Sequence, residues 1–327
     1  MKTPVFGRVR PERGVPDAAT DARSHPATHR RGTASRARRD VVTAYVKLTK
    51  PRIIELLLVT TVPAMILAAR GIPSLWRVAA TLIGGTAAAG GANAINQYLD
   101  RDIDRIMHRT RRRPIPAHVI EPRNALIFGV ALGVAAFAFL VLTVNVLAAV
   151  LAIGAMAFYL FVYTAWLKRS SPQNIVVGGA AGAVPVLVGW AAVTGRVGLP
   201  AAALFAIVFM WTPPHFWALS LRYERDYAAA GVPMLPVVAG RESTTLHIVV
   251  YTVLLVGTTL LLPLTTHMTP LYPAAAAVLG GVFIARVVHL RRKPTLAAAM
   301  SVFRFSIAYL TLLFLAVALD TIVHYGV

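Results

Sequence analysis

The sequence predicts an all-α integral membrane protein of about nine transmembrane helices. Three observations carry that prediction. Only 14% of the 327 residues are charged and 57% are hydrophobic, whereas a soluble domain carries about 25% charged residues. Apolar runs recur at the ~20-residue length that crosses a bilayer as a helix. The basic residues gather in alternate connections between those runs, which is how positive charge kept on the cytoplasmic side is distributed.

Residues 1–44 are rich in Arg, Pro, Ser, Thr and Ala without helical periodicity; they read as a disordered basic cytoplasmic tail. Residues 45–327 read as one membrane domain. The tail has no apolar core of a signal peptide. Glu12, Asp17, Asp21 and Asp40, with Pro4, Pro11 and Pro16, argue against an amphipathic transit peptide. Apolar spans follow at about 53–70, 75–97, 124–142, 146–166, 174–193, 199–221, 245–264, 270–289 and 303–324. Arg101, Arg105, Arg109, Arg111, Arg112, Arg113 and Arg123 follow the second span, and Lys168 and Arg169 the fourth. Arg222, Arg225 and Arg241 follow the sixth, and Arg291, Arg292 and Lys293 the eighth. The opposite connections hold little beyond Arg70, Arg77 and Arg196. This asymmetry places the N-terminus in the cytoplasm and the C-terminus outside, in a bacterial inner membrane.

The formal charge is +20, from 33 Lys plus Arg against 13 Asp plus Glu. In a soluble protein that would suggest nucleic acid; between apolar spans it suits topology and anionic membrane lipid, so no nucleic-acid partner is expected. The absence of cysteine excludes disulfides, thiolate metal sites and cysteine nucleophiles. Gly84, Gly85, Gly90 and Gly91 in the second span, and Gly178, Gly179, Gly182 and Gly189 in the fifth, are small residues that let membrane helices pack closely.

Polar chemistry begins where the second span ends, at Asn96-Gln-Tyr-Leu-Asp100-Arg-Asp-Ile-Asp104. On a continuing helix, residues four apart share a face, so Asn96, Asp100 and Asp104 line up over roughly 12 Å while Asp102 turns away. Oxygen donors on one face suit a hard cation such as Mg²⁺, which takes one or two carboxylates plus phosphate oxygens and water. Arg105, Arg109 and Arg113 follow at once; carboxylates beside guanidiniums fit an anion held between metal and Arg forks. A second polar cluster, Arg222-Tyr223-Glu224-Arg225-Asp226-Tyr227, follows the sixth span. Tyr163 and Lys168 close the fourth span on the same membrane side, and Lys50-Pro51-Arg52 opens the first there. Within the sixth span, Trp211-Thr-Pro213-Pro214-His215-Phe216-Trp217 should break the backbone ladder at membrane depth. His215 beside that break suits an axial iron ligand, a proton-transfer group or a hydrogen-bond partner.

Together these residues resemble the UbiA superfamily of membrane prenyltransferases, and more closely its protoheme IX farnesyltransferase branch. Asn96, Asp100 and Asp104 match the superfamily's NxxxDxxxD signature. Arg109-Thr110 with Arg113-Pro114, then Lys168-Arg-Ser-Ser-Pro172-Gln173-Asn174-Ile175, Trp211 to Trp217 and Gly231-Val-Pro233-Met234-Leu235-Pro236 are similar to the landmarks of the heme branch. Many members carry a second pair of Asp residues four apart; here Asp226 fits the latter position, but the earlier one is Arg222, which leaves open whether Glu224 contributes. The resemblance implies a helical bundle with a central cavity opening near the cytoplasmic face. It also implies transfer of a farnesyl group from farnesyl diphosphate to a vinyl of heme B, giving heme O and diphosphate, with an aromatic prenyltransferase of quinone synthesis as the alternative. On this reading Asn96, Asp100, Asp104 and Asp226 hold Mg²⁺ as the catalytic set. Arg52, Arg105, Arg109, Arg113, Lys168 and Tyr163 hold the diphosphate, and His215, Trp217 and Tyr223 face the heme. Implied partners are the two substrates, membrane lipid, and a heme O-modifying enzyme or terminal oxidase assembly factors.

Overall fold

The computed structural model describes residues 41–326 and, within them, the side chains of all but residues 52–58. Most of the expected tail therefore lies outside the described residues; its last four, 41–44, belong to a helix α1 over residues 41–49. Helix α2 (Pro51–Ala69) follows, then α3 (Leu75–Leu99), a short α4 (Arg101–Ile106) and α5 (Pro122–Thr143). Helix α6 starts at Val146, widens into a π-helix over Phe158–Leu167 and ends in a single turn at Lys168–Ser170. The remainder are α7 (Asn174–Thr194), α8 (Leu199–Ser220), a short α9 (Glu224–Ala229), α10 (Leu235–Leu261), α11 (Leu271–Arg292) and α12 (Leu296–Tyr325).

Among the described residues, eight helices are long and apolar enough to cross a membrane. The first expected span, 53–70, coincides with α2, whose described apolar stretch, Val59–Ala69, is shorter. The protein is a multi-pass membrane protein, and the regular elements among its described residues are all helices. Packing runs in chain order from α3 through α5, α6, α7, α8, α10 and α11 to α12, and α12 returns to α2, which also touches α3. The bundle thus closes on itself, with α2 lodged between its first and last members.

Three expectations shift. The seventh span, expected at 245–264, belongs to a helix beginning at Leu235, with a non-helical residue inside it at Gly240 (φ 72°, ψ 175°). Glycine reaches such a φ without the Cβ clash that hinders other residues. The ninth, expected at 303–324, runs from Leu296 to Tyr325, because Thr295 caps it by accepting from the Ala298 amide. Hydropathy marks the portion that lies in hydrocarbon, whereas caps mark where a helix stops. The third concerns Pro213 and Pro214, which lie inside an unbroken α8. Proline removes its own N–H from the ladder, so the carbonyls of Phe209 and Met210 lose their i+4 donors without ending the helix.

The closest packing lies between α3 and α5. A Cβ on Gly91 would sit 2.7 Å from the Gly129 carbonyl oxygen, and one on Gly129 would sit 2.9 Å from that of Gly91. Small residues at these positions let two backbones meet, which is how membrane helices gain dispersion contact without a hydrophobic driving force. This contact holds the motif-bearing helix in place. Gly91→Val should lower stability by about 1–3 kcal/mol through overpacking, seen as a reduced unfolding temperature in detergent. Gly85→Ala, where a Cβ meets nothing within 4 Å, should leave it unchanged. Equal unfolding temperatures for the two variants would refute the close-approach account.

Candidate active site

The acidic motif sits at the junction of α3 and α4. The helix does not run straight through it as expected. Asp100 caps α3 with φ −87° and ψ 4°. Yet the Asp100 amide donates to the Asn96 carbonyl at 2.9 Å and the Asp104 amide to the Asp100 carbonyl at 2.8 Å. Helical spacing survives the bend, so Asn96, Asp100 and Asp104 still share one face. All three are buried, at 2%, 0% and 1% exposure. Asp102 points elsewhere and takes a two-pronged bond from Arg169, at 2.7 Å to each oxygen. That pairing holds its carboxyl well below the usual carboxylate range.

Each buried oxygen group faces a cation from another element. Lys168, at the end of α6, lies 2.5 Å from Asp100 Oδ2. Arg113, in the connection after α4, lies 2.7 Å from Asp104 Oδ2. Lys50, between α1 and α2, donates to Asn96 Oδ1 at 2.8 Å. The Asn96 amide in turn donates to Asp100 Oδ2 at 2.8 Å and to the Thr164 hydroxyl at 3.1 Å. Asp100 Oδ1 is buried and has no hydrogen-bond partner; the nearest cation to it is Arg169, at 3.9 Å.

Lys50 occupies the left-handed region (φ 53°), which disfavours a residue with a Cβ by roughly 1–2 kcal/mol. The surrounding structure holds it there. Asn93 of α3 donates to the Thr49 carbonyl at 3.0 Å and Gln97 to the Leu48 carbonyl at 2.8 Å. The polar face of α3 therefore clamps the α1–α2 turn and aims Lys50 at the motif. Strain of this kind persists where surrounding contacts over-determine it, and it gathers at functional sites.

The second cluster contacts the connection after α4. Asp226 Oδ2 accepts from the Arg109 backbone amide at 3.1 Å, fastening the arginine-bearing connection to α9. The Arg109 guanidinium lies over Tyr223 at 5.3 Å and over Tyr227 at 6.0 Å. Glu224 pairs with Arg241 at 3.0 Å. Among the described residues no three Asp, Glu or His side chains gather as a ready-made metal site, and Asp226 does not join Asp100 and Asp104 in one.

The other expected residues are dispersed. Arg105 is exposed, and the Arg52 side chain lies outside the described residues. Tyr163 stacks on Tyr159 at 5.4 Å and packs where a Cβ on Gly178 would otherwise be. Trp217 is buried beside Tyr251, and its Nε1 has no partner. His215 lies within α8 among aromatic rings. Residues that the motif reading did not place in the site, Lys50 and Thr164 above all, reach it through a turn and a π-helix, neither of which leaves a periodic signal. A cavity of about 800 Å³ lies at the other ends of α2, α7 and α12, lined by Arg70, Trp190, Arg196, His267 and Tyr325 among others. At the acidic motif itself, Lys50, Lys168 and Arg113 lie directly on the oxygens.

Residues 57–316 match the UbiA prenyltransferase family. The chain belongs to that family. A protoheme IX farnesyltransferase of Parafrankia sp. (strain EAN1pec) is 52% identical over 307 residues, covering 93% of this chain and 98% of its own. Protoheme IX farnesyltransferase 1 of Saccharopolyspora erythraea is 51% identical over 312 residues, covering 94% and 97%. Among solved structures, one of a digeranylgeranylglyceryl phosphate synthase superposes with a TM-score of 0.71 at 20% identity, covering 86% of this chain and 99% of that one. A UbiA homolog from Archaeoglobus fulgidus bound to GPP and Mg²⁺ gives 0.59 at 17% identity, covering 84% and 99%. Those structures share the UbiA fold with this chain.

The clamp around Lys50 has a consequence for pH. Burial, then the neighbouring Arg113 and Lys168 charges, lower its pKa well below the free-lysine value of 10.5, against the pull of Asp100 and Asp104. The unfolded chain therefore holds this proton more tightly than the folded protein does. Stability should rise with pH between the lowered pKa and 10.5. Unfolding temperatures followed across that window should climb more steeply in wild type than in Lys50→Met; parallel curves would contradict the buried placement of the amine.

Proposed function

We propose that this chain transfers the farnesyl group of farnesyl diphosphate to a vinyl group of heme B, giving heme O and diphosphate. The supporting observation is the buried Asn96–Asp100–Asp104 face met by Lys50, Lys168 and Arg113. It occurs in a chain 52% identical across 93% of its length to a protoheme IX farnesyltransferase.

The reaction breaks the C1–O bond of the allylic diphosphate, and negative charge grows on the departing oxygens. Lys168, Arg113, Lys50 and Arg109 present donors to that charge from fixed positions, so little reorganisation is needed as it forms. Arg52 and Tyr163 complete the diphosphate side in this reading. Asp100, whose Oδ1 is buried and unpartnered, would hold Mg²⁺ with Asp104 and Asn96; such all-oxygen donors suit a hard cation. When bound, Mg²⁺ neutralises part of the diphosphate charge and so eases its departure. Asp226 supports the site by holding Arg109 in place. The allylic cation is attacked by the vinyl carbon, and water captures the resulting porphyrin-side cation, leaving a hydroxyl and releasing a proton. The farnesyl chain lies among the membrane helices, where about 0.8 kcal/mol per buried CH₂ favours it. His215, Trp217 and Tyr223 stand on the acceptor side. The same reading places the protein in a bacterial inner membrane, with the diphosphate site and the N-terminus cytoplasmic and the C-terminus outside.

Asp100→Ala should lower heme O formation at least about a hundredfold while the protein still accumulates in membranes. The assay is incubation with labelled farnesyl diphosphate and heme B, then pigment extraction and mass analysis; near-normal turnover by the variant would reject the site. A farnesylated phenol in place of farnesylated heme would reassign the acceptor. For topology, alkaline phosphatase fused at the C-terminus should be active in the periplasm, and a silent phosphatase with a fluorescent cytoplasmic fusion would reverse the orientation.

A further inference from the structure

The His215 imidazole is held from several directions. Trp211, one turn earlier on α8, stacks on it with ring centroids 4.2 Å apart. Phe303 of α12 stacks at 4.7 Å, and Phe216 meets it edge-on at 5.2 Å. Its Nδ1 lies 2.7 Å from the Ser306 hydroxyl of α12. Ser306 is itself tied down: its hydroxyl donates to the Phe303 carbonyl at 2.7 Å, and its carbonyl accepts from Trp211 Nε1 at 2.7 Å. A serine hydroxyl has one proton. Two contacts at 2.7 Å need two protons, so both are hydrogen bonds only when Ser306 donates to Phe303 and His215 Nδ1 donates to Ser306. Nε2 then carries the lone pair, and among the described residues it makes no hydrogen bond.

A histidine kept only for packing gains nothing from this arrangement. A phenyl ring would fill the same aromatic slot, but it would neither donate to Ser306 nor offer a lone pair. A metal-ligating histidine has this pattern: its second nitrogen donates to a fixed acceptor, which sets the tautomer and aims the lone pair. The acceptor substrate of the proposed reaction is an iron porphyrin. We infer that Ser306 is a positioning residue that fixes His215 in the Nδ1–H form, so that Nε2 ligates the iron of the incoming heme. This rests on the heme reading of the site. Ligation would set the porphyrin plane roughly perpendicular to the imidazole plane and so help select which part of its rim meets the farnesyl cation.

The test uses the full-length protein in nanodiscs, titrated with ferric heme B and, separately, with iron-free protoporphyrin IX. Wild type should show the absorption and resonance Raman signature of imidazole-ligated iron, and should bind heme more tightly than the iron-free ring. His215→Ala should lose the signature and regain it with added imidazole. Ser306→Ala should remain folded with a modestly lowered unfolding temperature, while heme affinity falls about 10–100-fold, the usual effect of removing such a support; Ser306→Thr, which keeps the hydroxyl, should restore it. A wild-type spectrum without imidazole ligation, or equal affinity for heme and the iron-free ring, would overturn the ligation whatever the variants do. Wild-type spectrum and affinity in Ser306→Ala would overturn the positioning role. Farnesyl transfer is measured on the same samples: ligation without transfer would fail the proposed reaction alone, and transfer without ligation would fail this inference alone.

Discussion

Two carboxylates buried at the end of a membrane helix are the constraint around which the structure is arranged. Removing an ionised carboxylate from water carries a penalty of several kcal/mol that only a close, well-oriented cation offsets. Asp100 and Asp104 are 0% and 1% exposed, and each has its own cation within 2.7 Å. None of those cations comes from α3 or α4. Lys168 arrives from α6, Arg113 from the connection after α4, and Lys50 from the turn before α2. The packing of the N-terminal half of the bundle is therefore tied to the motif's need for neutralisation, and a diphosphate with its metal would share the same charges.

That dependence accounts for several local irregularities. The bend at Asp100 ends α3 without losing the i+4 spacing of the motif. The π-helix over Phe158–Leu167 resets the phase of the last turns of α6, so that Thr164 meets Asn96 and Lys168 meets Asp100; π segments inside α-helices are frequent at functional sites. The left-handed Lys50 is held by Asn93 and Gln97, two α3 side chains that flank Asn96 in sequence. Each irregularity delivers a polar group to one face of one helix.

The C-terminal half is organised differently. Its ion pairs, Arg241 with Glu224 and Arg291 with Glu242, do not involve buried carboxylates. Its buried Asp320 accepts from the Thr269 and Tyr272 amides and the Thr269 hydroxyl, which anchors the start of α11. The chemistry offered on this side is aromatic: Trp211, His215 and Phe303 stack across the α8–α12 contact. An acidic, cation-paired half and an aromatic half suit a reaction between a charged leaving group and a flat apolar acceptor.

The sequence by itself determined the helical membrane class, the approximate place of most spans and the acidic face. All three follow from local periodicity: apolar runs of bilayer length, alternating basic connections, and oxygen side chains four residues apart. The family landmarks added the reaction. Only the tertiary structure decided how the site is assembled. Lys50 reaches Asn96 across 46 residues and Lys168 reaches Asp100 across 68, separations that no local pattern encodes. The second acidic position was legible as a residue, whereas its contact with the Arg109 backbone amide, 117 residues away, was not. The double proline was legible as a break in the hydrogen-bond ladder, but not that α8 continues through it. Local sequence sets which groups share a face; which charge meets which, and in what tautomer a buried ring is held, depends on contacts between distant helices.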